Sequence, residues 1–149
     1  MNTPDPVVRR LVIAGMFLLL PLGGNAQSVW KDKATGLTWA TQDNGSRIDW
    51  QSADGYCKNL KNGSYSWRLP TIDELEKIYD PTQNGSCGKS FPGSVCHIKG
   101  GIQLSGPAAW SSNQGSHPKW AWIYFFNEGK RSEIPWLNYT FYRALCVAN

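Results

Sequence analysis

Histidine is scarce in this 149-residue chain, which has two, His97 and His117. Both fall in loop-forming sequence, and neither stands at ligand spacing from the other or from a cysteine, so no zinc set can be assembled. No Gly-x-Ser-x-Gly elbow is present to expose a nucleophilic serine. Asp73, Glu74, Glu76 and Asp80 lie close enough in sequence to suggest a carboxylate pair. They gather at a capped helix start, however, where negative charge favours the macrodipole, and a glycosidase role is not expected. A Lys/Arg stripe is also missing. The formal charge of +4 permits attraction to anionic polymers but is too small for nucleic acid as a main partner. Internal repeats, low-complexity tails, linkers and collagen-like stalks are absent as well, so avidity through a fused trimerising segment is not expected. The chain therefore reads as a non-enzyme without metal or cofactor.

Only one stretch is strongly apolar, Leu11 to Leu22, and at about a dozen residues it falls short of the roughly 20 that span a bilayer. It follows Arg9-Arg10 and is broken by Gly23-Gly24 before Asn25-Ala26, the pattern of a secretory leader. The expected cut lies after Ala26, which makes residues 1–26 a signal peptide and leaves residues 27–149 as a single domain with one core. No cysteine follows the small residues, so a bacterial lipid anchor is not expected. The residues flanking the arginine pair do not fit a twin-arginine leader. General secretion to the periplasm or the exterior is the expectation, with no membrane span after cleavage. Loss of Arg9, Arg10 and Asp5 lowers the formal charge from +4 to +3 (15−2 basic, 11−1 acidic).

All four cysteines, Cys57, Cys87, Cys96 and Cys146, lie beyond the leader. In an oxidising compartment an even count reads as two disulfides, for which three pairings exist. Cys87 and Cys96 bracket a Gly/Ser/Pro-rich stretch and can close a local loop, which leaves Cys57 to meet Cys146. In the chain-entropy model the short bridge contributes about 2.5 kcal/mol and the long one about 4.5 kcal/mol.

Val29–Asp32 and Leu37–Ala40 are short strand-like runs around Lys33-Ala34-Thr35-Gly36, a hairpin pattern. From Asp49 the period changes. Trp50, Ala53, Cys57 and Leu60 recur at helical spacing with Asp49 as cap, and Asn62-Gly63 ends the segment. In Thr71-Ile72-Asp73-Glu74 the Thr71 hydroxyl can accept the Glu74 amide while the Glu74 carboxylate reaches back, a reciprocal capping box that opens a second helix. That helix is expected to stop near Asp80-Pro81. From Asp80 to about Ala109 the chain lacks sustained periodicity and reads as a long loop pinned by Cys87 and Cys96. Apolar runs then surround Trp110, extend from Trp120 to Phe126, and extend from Phe141 to Val147, with Asn127-Glu128-Gly129-Lys130 as a hairpin turn. The alternation in the last run predicts a half-buried strand.

These pieces, in this order, resemble the Lcl C-terminal domain family: Ala53-Asp54-Gly55-Tyr56-Cys57-Lys58-Asn59-Leu60, Trp67-Arg68-Leu69-Pro70-Thr71 before Glu74-Leu75, Trp110-Ser111-Ser112, and Tyr142-Arg143-Ala144-Leu145-Cys146-Val147. The family takes its name from the C-terminal domain of a bacterial collagen-like adhesin and looks like a bacterial branch of the C-type lectin-like fold. The resemblance implies an α+β architecture, with two helices packed on a twisted antiparallel sheet and a long disulfide-pinned loop beside them. It also implies that the helix cysteine is bonded to the cysteine of the last strand. The adhesin domain itself binds sulfated glycosaminoglycans. Glu-Pro-Asn, Gln-Pro-Asp and Trp-Asn-Asp runs of calcium-dependent lectins are missing, and Trp110-Ser111-Ser112-Asn113 stands where a ligating carboxylate is wanted, so a calcium site is not expected. The formylglycine-generating enzyme shares the fold, but it is much longer and uses cysteines of which this chain has no spare copies.

What remains points to binding. Indole and phenol rings stack on the C–H faces of sugars, and Lys and Arg pair with sulfate or carboxylate. Trp110, Trp120, Trp122, Trp136, Tyr139 and Tyr142 supply the rings, with Lys119, Lys130, Arg131 and Arg143 as cations. Trp30, Trp39, Trp50 and Trp67 fall in regular elements and are assigned to the core. Trp136 and Tyr139 lie in a polar connection, and Lys130-Arg131 at a hairpin tip. The ligand-binding candidates are therefore Lys119, Lys130, Arg131, Trp136 and Tyr139. The expected function is a secreted, non-catalytic module for carbohydrate or anionic polysaccharide at the cell envelope, in an adhesion-like role. The alternative is a protein-interaction module of the periplasm or cell surface.

Overall fold

The computed structural model describes residues 27–137 and 139–149; the expected signal peptide lies outside them. Among the described residues the order is β1 (Val29–Lys31), β2 (Thr38–Ala40), α1 (Trp50–Asn59), α2 (Ile72–Lys77), β3 (Gly85–Ser86), β4 (Val95–Cys96), β5 (Ala108–Gln114), β6 (Trp120–Phe125), β7 (Lys130–Pro135) and β8 (Val147–Ala148). No helix among the described residues is long and apolar enough to cross a membrane.

Local chemistry sets these elements. At the β1–β2 turn the buried Asp32 accepts the Ala34 amide at 3.0 Å and the Thr35 hydroxyl at 2.7 Å, an Asx turn that delivers Gly36 at φ +75°. Asp49 caps α1 through the Ser52 amide at 2.8 Å, and Ala53 and Cys57 face inward. Thr71 and Glu74 form the reciprocal capping box of α2. That helix ends at Lys77, short of the expected stop near Asp80. The Ile78 amide already bonds back to Glu76 and Leu75, and the Asp80 amide bonds to the His97 carbonyl at 3.2 Å.

The architecture is α+β, with two helices against antiparallel strands in a C-type lectin-like arrangement. The sheet is divided, however. β1-β2-β8, β3-β4 and β5-β6-β7 form three separate antiparallel sheets. The terminal run explains part of the division. Tyr142 and Arg143 make only isolated bridges, to Ile48 and Ala109, before β8 begins. This run is buried on both faces from Arg143 to Ala148, not half-buried as its alternation suggested. It threads between the two apolar clusters that make up the core.

One cluster holds Trp39, Leu75, Ile78, Tyr124, Phe126 and Leu145 together with Cys87 and Cys96. The other holds Trp67, Leu69, Trp110 and Ile123 together with Cys57 and Cys146. Each disulfide thus sits inside one cluster: Cys57 is bonded to Cys146 and Cys87 to Cys96. Burying a large apolar side chain contributes about 1.5–3 kcal/mol, so these clusters and staples act on the same residues. Of the tryptophans assigned to the core, Trp39 and Trp67 are buried, whereas Trp30 and Trp50 pack only partly covered against its edges. The long segment between α2 and β5 carries the two-residue β3–β4 ribbon, which its Gly/Ser-rich sequence does not announce.

Candidate functional site

The five candidate residues fall into two groups at opposite ends of one ribbon. β6 and β7 pair from Trp120↔Pro135 to Phe125↔Lys130. Lys119 and Trp136 extend the first end, where the Trp136 amide donates to the Lys119 carbonyl at 2.9 Å. Lys130 and Arg131 begin at the other end, about 17 Å away at the rise of an extended strand. Arg131 is already engaged there. It reaches Asp73 at 3.2 Å and also pairs with Glu76, tying β7 to α2. Lys130 stands 3.7 Å from Glu128. Two cations facing three carboxylates leave little attraction for a polyanion at that end.

The first end has a different character. Trp136 lies against Trp50, with ring centroids 5.6 Å apart, and the Trp50 indole donates to the Ser111 carbonyl at 2.7 Å. This fixes the inner wall. Beyond it Leu137, Tyr139 and Phe141 are 51%, 41% and 52% exposed, a concentration of uncovered apolar surface in one short segment. The rings of Tyr139 and Phe141 meet edge to face at 6.4 Å. The Arg47 guanidinium lies 4.8 Å from the centre of Phe141 and forms none of the described ion pairs. Beside these rings a cleft of about 330 Å³ is lined by Asp49, Gln51, Ser52, Trp136, Leu137 and Thr140. Hydrogen bonding from the Ser52 amide, opposed by burial, holds the Asp49 carboxyl below its ordinary value, and it stays ionised. Exposed rings, hydroxyl and amide side chains and a surplus guanidinium stand together, a combination suited to sugar C–H faces and hydroxyls.

Arg47, Leu137, Thr140 and Phe141 were not among the sequence candidates. Arg47 lies in a connection with no periodicity, and nothing local announces its partner 94 positions away. Alternation predicts a half-buried strand at Phe141, which is instead exposed. Conversely Trp110 and Arg143, which had looked available, are buried. The Arg143 guanidinium donates to the Ser105 hydroxyl at 2.7 Å, the Ser105 carbonyl at 2.9 Å and the Phe141 carbonyl at 3.0 Å. Asp43 receives the Ser105 amide and hydroxyl on the other side. Desolvation lowers the Arg143 pKa, and the Asp43 carboxylate acts in the opposite direction. Arg143 holds the 101–106 segment against the terminal run.

One further cluster has a catalytic look. Ser116 donates its hydroxyl to Glu133 at 2.6 Å, and His117 Nδ1 lies 3.0 Å from the same oxygen. The serine stands between acid and imidazole, so its proton goes to the carboxylate and the imidazole sits on its acceptor side. A nucleophile relay needs the histidine in the middle. Among the described residues no three of His, Cys, Asp and Glu gather closely enough to hold a metal ion.

The helix–strand disulfide, the capped Trp67–Thr71 entry to α2 and the buried Trp110 now stand in one frame. The model of the Lcl C-terminal domain family matches residues 28–147. The chain belongs to that family. Neither curated proteins nor solved structures yield a match. As an Lcl C-terminal domain it is a non-catalytic, surface-associated binding module. The family match spans all four cysteines and both clusters as far as Val147, so the Arg47–Phe141 surface is a face of the domain itself, not an appendage to it.

Proposed function

We propose that this Lcl C-terminal domain is exported by a leader cut after Ala26 and binds polysaccharide at the cell envelope, with anionic chains preferred. The binding face is the surface of Trp136, Tyr139 and Phe141, with Arg47 and Lys119 supplying positive charge. The observation that carries the reading is the exposure of Tyr139 and Phe141 beside a polar cleft and a guanidinium that joins none of the described ion pairs. Lys130 and Arg131, also candidates from sequence, drop to a minor role because acidic neighbours neutralise them. With few cations and the Asp49 carboxylate nearby, the salt dependence is shallow, and ring stacking supplies much of the affinity.

A glycan array followed by a salt titration tests this. Binding to acidic polysaccharides that weakens but persists as salt rises is the expected result. The apolar exposure of Leu137 and Phe141 gives a protein partner its best support. Absence of glycan binding, with an envelope protein co-purifying through the same face, would replace the polysaccharide reading.

A further inference from the structure

We infer that Asn84 is a site of spontaneous, structure-selected deamidation, which with time offsets the single positive charge lining the cleft beside the Cys87–Cys96 loop. The chain contains three Asn-Gly-Ser triplets, beginning at Asn44, Asn62 and Asn84. Asn-Gly is the sequence most prone to this chemistry, because glycine leaves its backbone nitrogen unhindered. That nitrogen attacks the side-chain amide carbon, a C–N bond forms and ammonia leaves. Water then opens the resulting five-membered imide at either carbonyl, giving aspartate or isoaspartate. The only co-reactant is water, no oxidant or reductant is needed, and the product carries one more negative charge.

The fold separates the three sites. The Asn44 side chain is held from both ends: its amide donates to the Ser46 carbonyl at 2.9 Å, and its carbonyl accepts the Ala144 amide at 2.9 Å. The attacking Gly45 nitrogen is meanwhile bonded to Asp43 at 2.7 Å. Asn62 is buried at 3% exposure under Trp67, whose indole donates to the Asn62 main-chain carbonyl at 2.9 Å, so its side chain is held by packing. The side-chain carbon must turn toward the next nitrogen for the imide to close, which hydrogen bonding opposes at Asn44 and close packing opposes at Asn62. Asn84 is exposed, and among the described residues no side-chain hydrogen bond holds it. Its glycine pairs with Cys96, but in a ribbon only two residues long on each strand, which opens far more readily than either of the other settings.

The consequence is local and electrostatic. The adjoining cleft, about 500 Å³, has Lys89 as the one ionised side chain in its lining. A carboxylate at position 84 makes that lining neutral overall. Isoaspartate also adds a backbone carbon, which breaks the Gly85↔Cys96 register while the disulfide keeps the loop attached.

Peptide mapping by mass spectrometry after incubation at mildly alkaline pH tests the assignment, with the folded, disulfide-intact protein run beside the same chain denatured in urea. In the denatured chain all three sites convert at comparable rates. In the folded protein Asn84 converts about tenfold or more faster than Asn44 or Asn62. Asn84→Gln abolishes the early acidic species on ion exchange while the circular dichroism spectrum is retained. Equal conversion at the three sites of the folded protein, or first conversion at Asn44 or Asn62, overturns the inference.

Discussion

Lys119 is the one non-glycine residue among those described with a positive φ, 65°. A side chain in the left-handed region costs about 1 kcal/mol, and turns in that conformation ordinarily take glycine. The carbonyl of this strained residue anchors the Trp136 amide, which sets Lys119 at the end of the ribbon that carries Trp136. If the ammonium serves binding, stability and affinity separate at this position. Lys119→Gly is expected to raise unfolding stability by roughly 0.5–1 kcal/mol while weakening binding to acidic polysaccharide severalfold. Denaturant melts and a binding isotherm on the same preparation check the pair of effects, and a variant stabilised with unchanged affinity removes Lys119 from the site.

At the scale of elements, the start of α2 is the part of the fold most open to reading from sequence. Thr71, Glu74 and the helical run after them are contiguous, and capping is satisfied within four residues. Arg68 adds what proximity alone does not reveal, donating to both Glu74 oxygens at 2.8 Å. Burial pushes the Glu74 carboxyl up, but the Arg68 bonds and the Thr71 amide outweigh it and the net position is below the ordinary 4.5. A depressed folded pKa contributes stability that is present above the unfolded value and lost as pH falls through the folded one. Glu74→Gln is therefore expected to cost about 1 kcal/mol at neutral pH, discounted for the partial exposure of Arg68. The gap between variant and parent should close as pH falls below the ordinary carboxylate range, as followed by thermal melts across pH. The hairpin of β1–β2, the α1 cap and the β6–β7 turn were legible for the same local reason. The division of the sheet is not, because it follows from the terminal run bridging only singly to Ile48 and Ala109, residues far away in sequence. The proposed recognition surface is half legible. Trp136 and Tyr139 stand out in a polar stretch, whereas Arg47 reaches Phe141 only through the folded chain.

Across the whole molecule, the two disulfides divide the work between the two halves of the core. The Cys57–Cys146 bond joins α1 to the terminal run over 89 residues and removes about 4.6 kcal/mol of loop-closure freedom from the unfolded chain in the entropy model. The Cys87–Cys96 bond closes 9 residues and contributes about 2.6 kcal/mol. The longer staple ends four residues after Tyr142, whose ring packs against Trp110 at 5.0 Å, so the segment carrying Tyr139 and Phe141 is anchored directly behind its exposed face. A surface held in this way needs little ordering when a ligand arrives, and a flexible polymer then loses most of the entropy. The most direct test is a two-dimensional NMR titration of residues 27–149 with the acidic polysaccharide that binds best on the array. Shifts are expected to concentrate on the Trp136 indole, Tyr139, Phe141 and Arg47, with Lys130 and Arg131 nearly still. Shifts centred on Lys130 and Arg131, with the Trp136–Phe141 segment unmoved, would contradict the proposed surface.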